Sequence, residues 1–347
     1  EREPQPEPEP EPIPEPEPEP VPQPEPEPEI IISGVVLDPY IRDAELYQDI
    51  NYNNSIDLSE KIGTTNYQGK FDLNLVNFTI PSGKTYAPIL LAKGGRDIST
   101  NESNKLIYYA IPEQGKQIVL SPISTVVTKL VTSKSLTKTA ALQKIKTNLS
   151  LTTSADSLES DPLFNENLEM FKSMNRISSL IKSMIELDTS TTTDSDVSET
   201  SMEAFTNMVN NGPVSLTADN TLQNVAKEAK TIRPALTIDD DERDKMSEII
   251  GTTFRLSDSS SGTFQNEAKK VVQITKQNID YLKTEKQKGT DFSKINTTTV
   301  SNSNVTNSSS ITVGTLQTPL VSPPEPEPEP IPEPEPQPAP EPEPQPE

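Results

Sequence analysis

Two Glu-Pro runs, one near each end of the chain, restrict its fold more than any other feature. Proline occupies every even position from Pro4 to Pro28, and the same alternation returns in 323–347. Proline fixes φ and lacks an amide hydrogen, and the residue before it is driven to extended geometry. Because helix and sheet are both excluded, we predict polyproline II tails over 1–29 and 323–347. Each would be about 80–90 Å long, at about 3.1 Å per residue.

The two tails also hold most of the charge of the protein. The same twelve letters, EPEPEPIPEPEP, occur at 7–18 and at 325–336. Together 1–29 and 323–347 carry −18 of the formal charge of −23, which leaves an interior with 34 acidic and 29 basic residues. Nucleic acids and anionic membranes attract basic proteins, so this balance argues against both as partners.

The residue types that most enzymes depend on are missing. The chain has no cysteine, histidine or tryptophan. Without cysteine there is no disulfide, thiol nucleophile or cysteine zinc site, and without histidine the commonest general base is absent. Asp, Glu, Lys or Tyr could still serve an enzyme, and an enzyme that uses carboxylates stays an alternative. No arrangement of carboxylates stands out as a general acid and base, so we predict a protein that is not an enzyme. No run of 18 apolar residues occurs, so we also predict no transmembrane segment.

Residues 30–120 have the alternation of β-strands. Turn-forming residues at 66–69 precede a run in which Phe71, Leu73 and Leu75 lie on one face. Further strand-like runs follow at short intervals up to residue 120. This spacing predicts a small antiparallel β-sandwich.

The hydrophobic period changes at Ser121, which precedes proline at a predicted first helical position. We predict an α-helical domain over 121–295 and read 188–201 as a polar linker. The fold class is therefore α+β, a sandwich followed by a helical bundle. The longest predicted helix has an apolar stripe at steps of three and four residues, made of Phe164, Leu168, Phe171, Met174, Ile177, Ile181 and Met184.

Residues 296–322 form a segment rich in serine, threonine and asparagine. Its low complexity indicates disorder, whereas its β-branched residues also suit a donor strand added to the sheet of another molecule. The sequence leaves these two alternatives open. Three Asn-x-Ser/Thr triplets, at Asn296, Asn304 and Asn307, are candidate glycan attachment points.

The most specific motif is DINYNNSIDLSE, from Asp49 to Glu60. Its oxygen-bearing residues match positions 1, 3, 5, 7, 9 and 12 of a calcium loop, and calcium prefers six to eight oxygen ligands. Asn54 stands where glycine is usual and tolerates positive φ. A polar turn without an ion is the alternative. The predicted metal ligands are Asp49, Asn51, Asn53, Ser55, Asp57 and Glu60.

Several stretches resemble a module of bacterial secreted surface proteins, often adhesin-like ones. They are the segment from Ser33 to Leu73, PILLAKGGRDIST, VLSPISTVVTKLV and ALQKIKTNLSL. The resemblance covers roughly 32–187 and implies a prealbumin- or immunoglobulin-like β domain followed by a helical segment. It also implies calcium ligation by Asp49, Asn51, Asn53, Asp57 and Glu60, and a location outside the cell.

These observations predict a structural subunit that joins copies of itself head to tail, through its terminal extensions, into an extracellular filament or coat. Head-to-tail contacts that do not close generate filaments. The alternative is a monomeric surface adhesin held on Glu-Pro spacers. Because the chain begins at Glu1 rather than methionine, we expect that a secretory signal has been removed.

Overall fold

A computed structural model describes residues 31–75, 80–258 and 262–309, together with Leu316. Both Glu-Pro tails, with the polyproline II conformation predicted for them, lie outside the described residues. Within the described residues every β-strand precedes the α-helices, which confirms the predicted order and the mixed α and β content.

The strands form three small sheets. Their orders are β5-β1-β9, β2-β7 and β4-β3-β6-β8. The strands that the structure describes are β1 (Ile31–Val36), β2 (Ile41–Arg42), β3 (Glu45–Asp49), β4 (Lys61–Thr64), β5 (Lys70–Asn74), β6 (Ile89–Lys93), β7 (Arg96–Asp97), β8 (Ile107–Ala110) and β9 (Ile118–Leu120).

One strand pair departs from the predicted antiparallel arrangement. β1 and β9 run parallel, with Val35 opposite Val119. A parallel pair needs a crossover of a dozen or more residues, and the chain between these two strands passes through the other sheets first. The purely antiparallel prediction is therefore wrong for this pair.

The first helix begins at the position where the sequence pattern changes from that of strands to that of helices. Ser121 is the N-cap of the first helix, and its side chain and that of Ser124 each accept a hydrogen bond from the other residue's backbone amide, forming a capping box. The described helices are α1 (Pro122–Lys134), α2 (Lys138–Asn148), α3 (Leu168–Leu187), α4 (Asp194–Asn211), α5 (Thr221–Ile232), α6 (Asp240–Asp258), α7 (Phe264–Lys288) and α8 (Thr297–Ser308).

Two details of the predicted helical region are wrong. Phe164 precedes α3 and is 51% exposed, whereas the other residues of the predicted stripe from Phe171 to Met184 are buried. The segment read as a polar linker contains the start of α4 at Asp194. The side chain of Thr193 accepts a hydrogen bond from the amide of Asp196 and caps that helix.

Residues 297–308 are helical, so the prediction of a donor strand or structureless linker is wrong for them. The helix buries small polar side chains instead of an apolar stripe. Asn304 donates to Asn278 Oδ1 on α7 at 2.9 Å, and Ser301 donates to the carbonyl of Ile249 on α6 at 3.3 Å. Because Asn304 is buried, it is also wrong as a glycan attachment point.

The strands and helices are packed together through two clusters of buried side chains. The larger includes Leu46 and Leu91 from the strands and Val127, Ile177 and Phe205 from the helices. The smaller also joins the two regions, with Val35 and Val119 from the strands and Phe171 and Val272 from the helices. The boundary near residue 120 thus separates strand from helix without dividing the core. Among the described helices, none combines the length and the apolar character needed to cross a membrane.

Candidate functional site

The predicted calcium loop begins at the end of β3, an interior strand of the four-stranded sheet. Asp49 is the last residue of β3 and is buried. Its Oδ1 accepts a hydrogen bond from the amide of Asn53 at 3.0 Å, and its Oδ2 accepts one from the amide of Asn54 at 2.8 Å. Asn54 has φ of 57°, a left-handed conformation that asparagine tolerates better than most residues. The chain therefore curls around the Asp49 carboxylate.

The polar side chains of the loop are linked to one another. Asn51 Nδ2 donates to Asp57 Oδ2 at 2.8 Å, and Asn53 Nδ2 donates to the same oxygen at 2.9 Å. Asn53 Oδ1 accepts from the amide of Ser55 at 2.7 Å. The structure thus brings the predicted ligands into one network, with Ser55 joined to it by its backbone amide.

Glu60 closes the loop at the end of a 3₁₀ turn, Leu58–Glu60. It is 5% exposed, and its Oε1 accepts hydrogen bonds from the amides of Ile50 at 3.0 Å and Asn51 at 3.3 Å. Its second oxygen, Oε2, is buried and has no hydrogen-bond partner in the part of the chain that the structure describes. A buried carboxylate oxygen with no partner is costly, and a bound cation would remove that cost.

An aromatic pair lies beside the loop. The rings of Tyr52 and Tyr86 are 5.6 Å apart, and Lys84 Nζ lies 4.4 Å from the centroid of the Tyr52 ring. Burial, with a smaller contribution from the Asp49 carboxylate, raises the pKa of Tyr52 and of Tyr86. These contacts fix one side of the loop.

The described residues contain no group of three or more Asp, Glu, His or Cys side chains that could hold a metal ion. The predicted ligand set of the loop includes three carboxylates, those of Asp49, Asp57 and Glu60, and they do not converge as such a group. Calcium at this loop therefore stays a prediction.

A second polar site, which the sequence did not indicate, lies between the strands and the helices. Lys182 Nζ on α3 is 2.8 Å from Asp38 Oδ2, which also accepts a hydrogen bond from the hydroxyl of Tyr108 at 2.8 Å. Asp38 and Tyr108 are both buried. Burial opposes the charge of Lys182, but Asp38 and Asp97 outweigh it and raise the pKa of the lysine.

Asp97, at the end of β7, is the second buried carboxylate of this site. Its Oδ1 accepts hydrogen bonds from the amide of Ser99 at 2.7 Å and the hydroxyl of Ser99 at 2.5 Å. Burial raises the pKa of Asp97 to about 6, against the opposing effect of Lys182. The carboxylate is thus held in surroundings that disfavour its charge.

A cavity of about 240 Å³ adjoins these groups, and we call it the Asp97 cleft. It lies where strand residues face α3 and α7, and contacts between separate structural regions are common places for ligand sites. The types of residue that line the cleft did not predict it from the sequence. The pattern that could have done so is a polar row on α3. Asn175, Lys182 and Glu186 follow at steps of seven and four residues and share one helix face.

A third buried group lies where β8 meets α4. The hydroxyl of Tyr109 donates to Glu199. Burial, with a contribution from Glu203, raises the pKa of Glu199 to about 7. Lys129 lies 5.0 Å from the centroid of the Tyr109 ring, and burial lowers its pKa. This group ties the helices to the sheet.

Comparison with known protein families, with curated proteins and with solved structures finds no match to this chain. Arguments about its function therefore rest on its own residues.

Proposed function

We propose that the chain is a non-enzymatic structural subunit of an extracellular filament or surface coat, and that a calcium ion stabilises its strand region. The finer architecture that we infer is a small β-sandwich followed by a helical bundle. The shared core supports this proposal, because it gives a compact unit to be carried between the two Glu-Pro tails.

The main support for the proposed calcium site is the environment of the Glu60 carboxylate. One of its oxygens accepts two backbone amides of the loop, and the other is buried without a partner. Asp49 and Asp57 supply further carboxylates, while Asn51, Asn53 and Ser55 supply neutral oxygens. Such a mixture of charged and neutral oxygens suits a hard cation.

Calcium should stabilise the full chain, and Glu60→Ala should abolish that effect. A ligand present at 100 times its Kd stabilises a protein by about 2.7 kcal/mol. For a folded region of this size that corresponds to a rise in melting temperature of about 5 °C. The measurement is thermal unfolding in calcium and in chelator.

Glu45→Ala is the matched control for Glu60→Ala, because Glu45 lies on β3 nearby and pairs with the exposed Lys61. It should change the melting temperature equally in calcium and in chelator. If Glu60→Ala also lowered the melting temperature by the same amount in both conditions, calcium ligation by this loop would be excluded.

The proposal that copies assemble into a filament is supported by a different observation. The same twelve-residue segment occurs at 7–18 and at 325–336. Each copy would present the same acidic rod on both sides. Because like-charged rods repel, we expect filaments to need cations or contact between a rod and the globular part of a neighbour. The proposed location outside the cell follows from the resemblance to secreted surface modules.

Negative-stain microscopy tests the assembly proposal. The full chain in calcium should form filaments, and a chain ending at residue 322 should not. The truncated chain must keep α8, because the loss of this helix would expose the faces of α6 and α7 that α8 covers. A full chain that stays monomeric at high concentration in calcium would contradict the filament.

A second function, a monomeric adhesin or binding module, is favoured by the Asp97 cleft. A cavity lined by charged residues is not needed by a purely structural subunit. In this function the Glu-Pro tails act as spacers, and exposed Asn296 and Asn307 remain candidate glycan positions.

A further inference from the structure

The Asp97 cleft has an uneven distribution of charge along its length. At its buried end, two carboxylates, Asp38 and Asp97, lie near one cation, Lys182, and both carboxylates are 5% exposed. At its open end, Lys105 and Lys283 both pair with Glu186, at 3.0 Å and 3.6 Å. The buried end therefore has an excess of negative charge.

The open end carries cations and carboxylates in similar number, but its lysines are unequally paired. The side chains of Lys105 and Lys283 are each 38% exposed. Lys105 pairs with Glu186 and Asp194, and Lys276 pairs with Glu102 and Asp280. Within the described residues Lys283 has one ion pair, with Glu186 at 3.6 Å. Lys283 is therefore the cation of the open end that is most available to an incoming anionic group.

A buried hydroxyl belongs to the wall of the cleft. Thr275 on α7 lines the cleft and is 6% exposed, yet its Oγ1 has no hydrogen-bond partner among the described residues. Some helical threonines bond the carbonyl four residues back, as Thr206 does to Met202 at 2.8 Å and Thr253 does to Ile249 at 2.6 Å. Thr128 on α1, away from the cleft, is buried in the same unpaired state as Thr275. An unpaired buried hydroxyl is costly unless something else supplies its partner.

The geometry points to a binding site for a small aliphatic zwitterion, an α-amino acid, with its ammonium toward Asp97 and its carboxylate toward Lys283. A volume of about 240 Å³ is below the range of about 300–1,000 Å³ for drug-sized ligands, so the ligand must be small. Lys182 and Glu186, which mark the two ends on α3, are one helical turn apart, about 6 Å along the axis. The aliphatic part of the ligand would contact Pro39, Ile41, Val272 and Ile279.

The binding should depend on pH in a definite direction. The ammonium of the ligand pairs with ionised Asp97, and the pKa of this buried carboxyl is raised to about 6. Affinity should therefore rise about tenfold between pH 5 and pH 7, over which the charges of the amino acid itself do not change. The other titratable or charged groups near Asp97 are Asp38, Lys182, Tyr108, Glu102 and Lys276.

Isothermal titration of the full chain with L-leucine tests the site. Leucine should bind at pH 7, whereas 4-methylpentanoate, which lacks the ammonium, and L-leucinamide, which lacks the carboxylate, should bind at least tenfold more weakly. Equal affinity for all three compounds would overturn the proposal, and so would no heat from leucine at millimolar concentration. The tripeptide Leu-Gly-Gly tests whether the site binds a free amino acid or the N-terminus of a peptide. If it bound with the same affinity as leucine, the proposal of a free amino acid as ligand would be wrong.

Two variants locate the binding. Lys283→Gln should weaken leucine binding about tenfold, and Lys288→Gln, on the same helix but outside the cleft, should leave it unchanged. Asp97→Asn should weaken binding and remove its rise with pH. Melting curves establish that each variant folds. Unchanged leucine affinity in both Lys283→Gln and Asp97→Asn would place the binding elsewhere and refute the site. Because these readouts involve neither calcium nor filaments, they are independent of the proposed function.

Discussion

The Asp49–Glu60 loop and the Asp97 cleft both bury carboxylates beside the sheets, but they surround them differently. In the loop the carboxylates accept hydrogen bonds from amides a few residues away, as Asp49 does from Asn53 and Asn54. In the cleft Asp38 is held by Tyr108 and Lys182, which are 70 and 144 residues further along the chain. The loop is thus organised locally, whereas the cleft exists only once strands and helices have packed together.

Removing the cation of the cleft, Lys182, should have the largest effect on stability. Lys182→Met leaves Asp38 and Asp97 without their shared positive charge, so we expect the free energy of unfolding at pH 7 to fall by about 3–5 kcal/mol. Urea unfolding measures it. The loss should shrink at pH 5, where Asp97 is largely protonated.

Lys172→Met is the control for this prediction. It lies on the same helix and pairs with Asp258, whose side chain is 41% exposed. Its loss should cost about 1 kcal/mol or less. Equal losses for the two variants would mean that the cleft does not depend on its buried ion pair.

Asp97→Asn should change how stability varies with pH. Because the pKa of Asp97 is raised from 3.8 to about 6, its ionised form is disfavoured in the folded protein. The native chain should therefore lose about 3 kcal/mol of stability from this group as pH rises from about 4 to 6. The variant should lack this loss.

Urea unfolding at several pH values compares Asp97→Asn with the native chain. Asp156→Asn, which changes an exposed aspartate, serves as control and should leave the native profile almost intact. If Asp97→Asn reproduced the native pH profile, Asp97 would not be the buried, charge-disfavoured group that the comparison requires.

The smallest expected effect concerns the loop. Asn54→Gly should change stability by only about 0.5 kcal/mol, because both residues accept the φ of 57° at this position. Asn54→Val should cost about 1–2 kcal/mol, since a β-branched residue is strained there. Unfolding in chelator compares the two variants without any contribution from calcium. Equal stability of the two variants would show that the loop does not hold residue 54 in this conformation.

The same contrast explains what the sequence could predict. The loop residues lie within twelve positions, so their spacing alone selected side chains that the structure links by hydrogen bonds, whereas calcium ligation by them stays a prediction. The residues of the cleft come from four separate segments of the chain, and no local sequence pattern predicts that they lie close together. They are Asp38, Asp97, Tyr108 and Lys182. α8 was missed for another reason. It buries serine and asparagine side chains instead of an apolar face, so hydrophobic periodicity had nothing to detect.

The two ends of the described fold differ in how they would carry tension applied through the tails. A pull on the N-terminal side acts on β1, the central strand of its sheet, which is hydrogen-bonded to β5 on one side and β9 on the other. A pull on the C-terminal side acts first on buried Leu316, which shares a hydrophobic cluster with Val35 and Phe171, and then on α8, which is held by side-chain packing and a few polar contacts. Under load Leu316 and then α8 should detach before β1, and the molecule should lengthen by a few nanometres while the strands stay paired.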